Sequence, residues 1–187
     1  MANQEHLALL QQGAVAWLKW RKHNTQIEPD LSAAHLVKVN LRGANLVKAN
    51  LKRANLNRAK LIAANLSGAN LSAANLCGAE LIDANLQKAE LVDAQLISAQ
   101  LMGADLAYAN LIGADLRGVD LKTADLSHAN LTAAEFIGAT LSEADLSGAK
   151  LSRASLVYAN LTGANFSHAN LSSANFYEAE AIATYFY

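Results

Sequence analysis

The sequence is poor in cysteine, proline, aromatic residues and charge. Its 187 residues include one Cys and one Pro, with 6% aromatic and 17% charged residues. A single cysteine excludes an internal disulfide framework and a Cys-based zinc site. The weak charge, combined with 52% hydrophobic residues, excludes a disordered chain. The length predicts one domain with a small appendage.

Signals for targeting and for nucleic-acid binding are also lacking. No apolar run approaches the roughly 18 residues of a membrane span, and residues 1–5 have no basic n-region of a signal peptide. We therefore expect a soluble cytoplasmic protein, consistent with the low cysteine content. The net charge of -1 argues against a protein whose whole surface binds nucleic acid.

A five-residue period fills most of the chain. From Leu31 to Phe176 every fifth residue is Leu, except for Phe at three positions. We call these residues the centres. Ala stands two residues before each centre from Leu36 onward, except at Val39 and Val119. Nine of the ten glycines stand two residues after a centre, and no insertion breaks the register.

A period of five fits neither an α-helix nor a straight strand. In a helix, at ~100° per residue, the centres would scatter around the cylinder. In a strand, successive centres would point to opposite faces. A chain that turns at a corner once per repeat keeps every centre on one axis, and its coils stack in parallel as in other solenoids. The period therefore predicts an all-β solenoid.

The repeats resemble a known family. Segments such as Ala44-Asn45-Leu46-Val47-Lys48 and Ala104-Asp105-Leu106-Ala107-Tyr108 are similar to the A-(D/N)-L-x-x pattern of pentapeptide-repeat proteins. The resemblance covers residues 30–180. It implies a right-handed quadrilateral parallel β-helix with four repeats per coil, hence about seven and a half coils. At ~4.8 Å per coil the tower is about 36 Å tall.

The central residues and the alanines before them are expected to fill the axis and its wall. The centres should be buried, and the small alanines should occupy the positions where the wall leaves little room. The core residues that we single out are Leu46, Leu66, Leu86, Leu106, Leu126, Phe136, Leu146, Phe166, Phe176, Ala44 and Ala104.

Residues 1–29 lack the period and predict an N-terminal helical cap. Leu7, Leu10, Ala14 and Trp17 form one helical stripe, and Asn3 is the expected N-cap. Gly13 either kinks or splits this helix. Trp17 and Trp20 either pack over the first coil, which aromatic residues at helical spacing favour, or form a docking patch. A Trp-containing leader of this kind more loosely resembles those of cyanobacterial family members.

The repeat pattern decays in residues 181–187, an apolar tail that contains Ile182, Tyr185, Phe186 and Tyr187. The tail either folds over the last coil or forms a homodimer interface. The resemblance supports the second alternative, because some family members associate through this end. An exposed apolar end also favours association.

Charge is distributed unevenly along the chain. Residues 1–60 hold ten basic and three acidic side chains, whereas residues 61–187 hold five and thirteen. With 20 residues per coil, Asp105, Asp125 and Asp145 fall in one column. Arg42, Arg53 and Arg58 lie in the first coils. These residues form either an ordinary solvated exterior or charged interaction surfaces.

An apolar column of Ile62, Ile82 and Met102 is a further candidate contact surface, although β-branched residues also simply stabilise sheets. No phosphate-binding loop, metal motif or nucleophile elbow occurs, so we expect no enzyme, no cofactor, no metal and no small-molecule substrate.

We therefore predict a non-enzymatic scaffold or protein-interaction module whose partner the sequence does not identify. Two alternatives remain. One is a DNA-mimic modulator of a topoisomerase or another nucleic-acid enzyme, a function that the resemblance implies for some members. The other is structural assembly through the C-terminal end. Direct binding of nucleic acid is not favoured.

Overall fold

Two short helices precede the repeats. The computed structural model describes residues 2–187, and its helices are α1, Gln4–Gln11, and α2, Ala14–His23. The Asn3 side chain caps α1 by accepting hydrogen bonds from the backbone of Glu5 and His6. Gly13, at φ 98°, splits the predicted stripe into two helices, because this left-handed conformation cannot continue α1. Within residues 2–187 no helix is long and apolar enough to cross a membrane.

The repeats stack with a constant register. Parallel β-bridges join residues 20 apart, from Asp30 with Asn50 to Asn165 with Tyr185. Four five-residue repeats therefore make one coil, with one bridging residue on each of its four faces. Within residues 2–187 no named strand extends beyond such single bridges. The fold is thus a parallel β-solenoid preceded by helices, and α1 and α2 lie in the segment for which the sequence predicts a helical cap.

A tight turn follows each centre. In the first repeat the backbone of Ala34 donates to the carbonyl of Leu31 at 3.1 Å, and Ala33 between them has φ 55°. This geometry is that of a type II turn, which favours glycine at the left-handed position. At Gly103 an added Cβ would lie 2.6 Å from Oδ1 of Asp83 in the coil below, but rotation of the exposed Asp83 side chain relieves this contact, so the φ of 65° is the feature that favours glycine.

The core follows the repeat. The centres from Leu31 to Phe166 are buried, and so are the alanines that precede them. Val119 is buried in place of one such alanine, whereas Val39, in the first coil, is half-buried. Of the core residues named from the sequence, Phe176 is the exception. It is only half-buried because no further coil covers it.

The two ends of the tower differ. At the N-terminal end the cap supplies hydrogen bonds that a preceding coil would otherwise make: the Asn3 backbone donates to the carbonyl of Asp30 at 2.9 Å, and the backbone of Asp30 donates to Nδ1 of His6 at 3.1 Å. At the C-terminal end the register continues past residue 180 to Tyr185, and the axis remains partly open to solvent at Leu171.

Candidate interaction surfaces

The N-terminal cap is attached to the tower through its buried side chains. Leu10 and Trp17 are fully buried, whereas Leu7 and Trp20 are half-buried. Nε1 of Trp17 donates to the carbonyl of Asn45 in the first coil at 2.8 Å. The ring of Trp20 packs on Trp17 at 5.2 Å and on His6 at 5.0 Å between centroids. Trp17 is therefore inaccessible to a partner.

Two polar residues of the cap are buried although sequence analysis did not single them out. His6 and Arg21 are 8% and 4% exposed. Their only sequence signal is position, since each lies four residues from a buried apolar residue of its helix, Leu10 and Trp17. Arg21 donates to the carbonyls of Asn24, Ile27 and Val47, and so joins α2 to the first coil.

Seven exposed cations surround the first two coils. We call them the basic collar, and it consists of Lys38, Arg42, Lys48, Lys52, Arg53, Arg58 and Lys60. The bridging register places its members on or beside all four faces rather than on a single one. Within the described residues none of them forms an ion pair. The collar is thus a ring of cations without salt bridges in the described part of the chain.

The three predicted aspartates do share one column. Parallel bridges link Asp105, Asp125 and Asp145, which places neighbouring carboxylates about 4.8 Å apart along the axis. We call the face that bears them the Asp105 face. Each carboxylate accepts a hydrogen bond from the backbone two residues later, at 3.1, 2.8 and 2.9 Å. These local turns hold the carboxylates in place on the surface.

Within residues 2–187 the carboxylates of the Asp105 face have amide neighbours but no cation beside them: Gln87 donates to Asp105 and Asn165 donates to Asp145. Two residues after each aspartate stands a residue with a short side chain: Ala107, Ser127 or Ser147. Among the residues that the structure describes, no Lys, Arg or His comes within 4.0 Å of these three carboxylates. At the corner of this face the rings of Tyr108 and His128 stack with centroids 5.0 Å apart.

Three neighbouring acidic residues, Asp115, Glu135 and Glu143, form ion pairs. Nη2 of Arg117 lies 2.7 Å from the carboxylate of Asp115, and Lys122 lies 3.6 Å from Glu143. The Arg117 hydrogen bond holds the pKa of the Asp115 carboxyl below its usual value. In residues 61–187 the Asp105 face therefore differs from the Asp115 column, because its carboxylates have no cation beside them.

The predicted apolar column also forms one ladder. The register stacks Ile62, Ile82 and Met102, and the first two are half-buried while Met102 is 40% exposed. Arg42 precedes this ladder and Lys122 follows it in the same column. The ladder is therefore a narrow apolar stripe bounded by cations.

Aromatic and aliphatic side chains cluster at the open C-terminal end. We call Ile182, Tyr185, Phe186 and Tyr187 the C-terminal rim, and all four are exposed. The ring of Phe186 stacks on buried Phe166 at 5.3 Å and contacts Phe176 edge to face at 6.1 Å. The rim therefore covers part of the last coil and presents its remaining apolar surface to solvent.

The repeats match a family model described as pentapeptide repeats at residues 30–61, 59–99, 99–136, 120–156 and 149–184. Among curated proteins no sequence match was found. Among solved structures the chain is similar to HetL, a pentapeptide repeat protein involved in heterocyst differentiation regulation from the cyanobacterium Nostoc sp. strain PCC 7120. The two share 36% identity over 81% of this chain and 78% of HetL, with a TM-score of 0.55.

A second solved structure, a trypsin-treated form of the plasmid-mediated fluoroquinolone resistance protein QnrB1, is similar in fold alone. It shares 18% identity over 84% of this chain and 81% of its own, with a TM-score of 0.53.

Proposed function

The chain belongs to the pentapeptide-repeat family, and from this premise we propose that it is a non-enzymatic, cytoplasmic protein-interaction module. The fold of the family implies a right-handed quadrilateral β-helix of about seven and a half coils over residues 30–180. Residues 1–29 form its cap and residues 181–187 its terminal interface. HetL is described as involved in regulation of differentiation, a role that is compatible with binding a protein partner.

The observation that carries the proposal is the Asp105 face. Asp105, Asp125 and Asp145 are held in a straight column without local cations. The three carboxylates are half-buried: Asp105 accepts from the side chain of Gln87 and Asp145 from that of Asn165, but these neutral amides leave the negative charge of the column in place. Complementary charge steers association and fixes the register of a complex. The partner that fits is a protein segment with lysine or arginine side chains spaced along one edge.

We expect the triple variant D105N/D125N/D145N to lose the partner. Asn keeps the oxygen that accepts the backbone hydrogen bond, so the turns persist while three charges disappear. Affinity capture from a native lysate with the wild-type chain identifies the bound protein. Binding of that protein to the triple variant should then be about tenfold weaker or more.

A second triple variant, E80Q/E90Q/D120N, is the matched control. It removes the same charge at the same position of the repeat, but on two other faces. We expect it to bind like the wild-type chain. If both triple variants bound the captured protein equally weakly, net charge rather than the Asp105 face would determine binding. That result would contradict the proposal.

DNA mimicry, the alternative that the resemblance implies for some members, is less well supported. A DNA-like surface requires continuous negative charge, whereas the basic collar makes the first two coils positive. The similarity to QnrB1 concerns the fold and carries no function to this chain.

We further propose that the chain forms a homodimer through the C-terminal rim. Ile182 and Tyr187 are 61% and 87% exposed, and the half-buried Phe176 lies beneath the rim. An exposed apolar cluster beside an open axis favours association with a second copy.

Sedimentation velocity tests the dimer with I182D. The substitution places a charge on an exposed position of the rim, so it should yield monomers while the coil persists. I137D is the matched control, because Ile137 is a mid-tower isoleucine that is 39% exposed, and it should sediment as the wild-type dimer. A monomeric wild-type chain at tens of micromolar, or equal behaviour of both variants, would argue against this interface.

A further inference from the structure

Arg21 is a buried cation without a counter-charge. Its side chain is 4% exposed, and Nη1 and Nη2 donate to carbonyls of Asn24, Ile27 and Val47. Within residues 2–187 no carboxylate lies within 4.0 Å of it. Burial lowers the pKa of the guanidinium, but an arginine remains protonated in proteins. The full positive charge of Arg21 is therefore stabilised nearby by the dipoles of these three carbonyls.

One donor of this guanidinium is unused. Nε of Arg21 is buried, and among the described residues it has no hydrogen-bond partner. Buried donors in proteins are nearly always paired with protein, with water or with an ion, because an unpaired donor loses its hydration without compensation. A guanidinium has five N–H groups in a planar fork, a geometry that suits oxyanions.

A small pocket lies beside Arg21, between the cap and the first coil. It has a volume of about 50 Å³ and is lined by Arg21, Lys48, Thr25, Gln26, Ile27, Glu28 and Val47. Lys48 brings a second positive charge, and Thr25 and Gln26 bring side-chain donors. The pocket is thus small, polar and predominantly cationic, with one acidic residue, Glu28, at its wall.

We propose that this pocket binds one oxyanion group, a carboxylate or a phosphate, between the Arg21 guanidinium and the Lys48 ammonium. The oxyanion supplies the counter-charge that Arg21 lacks, at the part of its side chain that lines the pocket. Since Arg21 lies on α2 and Lys48 lies on the first coil, a bound oxyanion joins the cap to the tower. The site is separate from the Asp105 face and does not depend on the function proposed there.

The two tryptophans of the chain, Trp17 and Trp20, both lie in α2 and report on the cap. Inorganic phosphate and acetate are each titrated into the full chain at constant ionic strength, and the tryptophan emission is followed. We expect saturable binding of at least one of them. Tighter binding of phosphate would identify a phosphate group as the ligand chemistry, and equal or tighter binding of acetate would identify a carboxylate.

Lys48→Gln and Lys38→Gln form a matched pair. Both lysines are exposed, and both have left-handed backbone conformations at corners of the first coil, with φ 55° for Lys48 and 56° for Lys38. Only Lys48 lines the pocket. We expect Lys48→Gln to weaken binding about tenfold, the loss of one charged hydrogen bond, and Lys38→Gln to leave binding unchanged.

Glu28→Gln tests whether the chain fills its own site. We expect Glu28→Gln to bind the same probe at least as tightly as the wild-type chain, because it removes a nearby negative charge. Absence of saturable binding to the wild-type chain would overturn the proposal, and so would equal weakening by both lysine variants. Binding by Glu28→Gln alone would also overturn it, because the Glu28 carboxylate would then be the oxyanion.

Discussion

Replacing Leu106 by alanine is expected to lower the free energy of unfolding by about 2–5 kcal/mol, the range for a fully buried leucine. Leu106 is 0% exposed, and a coil of the tower lies on each side of it. Its backbone donates to the carbonyl of Asp125 at 2.7 Å, so neighbouring coils hold the wall in position. A wall fixed in this way collapses little into the cavity. Urea unfolding followed by circular dichroism measures the change.

Leu171→Ala provides the matched control for Leu106→Ala. Leu171 is the same residue at the same position of the repeat, but it is only half-buried in the last coil. The substitution removes less buried surface and leaves a cavity open to solvent, so we expect roughly half the cost or less. A loss under about 0.5 kcal/mol for Leu106→Ala, or equal losses for the two leucines, would contradict the assignment of the axis.

The course of the tower could be predicted from the sequence because the repeat imposes its geometry. A centre every five residues cannot remain inside a helix or a strand, and the resemblance implied four repeats per coil, which matches the observed 20-residue register. This register assigned distant residues to one column, so Asp105, Asp125 and Asp145 could be placed together in advance. Periodicity thus predicts contacts between residues that are far apart in sequence.

Backbone conformation at the corners was less predictable. Glycine marks nine corners, but Tyr108 and Lys88 adopt the same left-handed conformation, with φ 60° and 57°. Non-glycine residues pay roughly 1–2 kcal/mol for this conformation. They adopt it because the bridges to the coils above and below fix the turn. This constraint comes from contacts between coils and cannot be inferred from the conformational preferences of the local sequence.

The cap was the least predictable part of the molecule. Its helical stripe was visible, but its attachment depends on single hydrogen bonds from Trp17 and Arg21 to carbonyls of the first coil. Arginine in the last turn of a helix is usually interpreted as a solvated charge that favours the helix dipole. Burial of Arg21 depends on the conformation of the loop of residues 24–28. This loop has no periodic pattern from which its conformation could be predicted.

The cap is expected to contribute to the stability of the whole tower, and Trp17 is the residue that tests this. Trp17→Ala should cost about 3–5 kcal/mol, because it removes a fully buried indole and leaves a cavity over the first coil. Trp17→Phe retains most of the apolar surface but leaves the carbonyl of Asn45 without its donor, which should cost about 1–3 kcal/mol. Urea unfolding measures both.

Trp20→Phe is the control for Trp17→Phe, since Trp20 is half-buried in the same helix. We expect it to cost less than Trp17→Phe. Hydrogen exchange then distinguishes local destabilisation of the first coil from destabilisation of the whole tower. The two can differ because each repeat of a solenoid is stabilised mainly by its neighbours. In Trp17→Ala the amides of the first coil, such as Leu46, should lose protection before that of Leu106 does. Uniform loss would instead show that the cap and the tower unfold as a single cooperative unit.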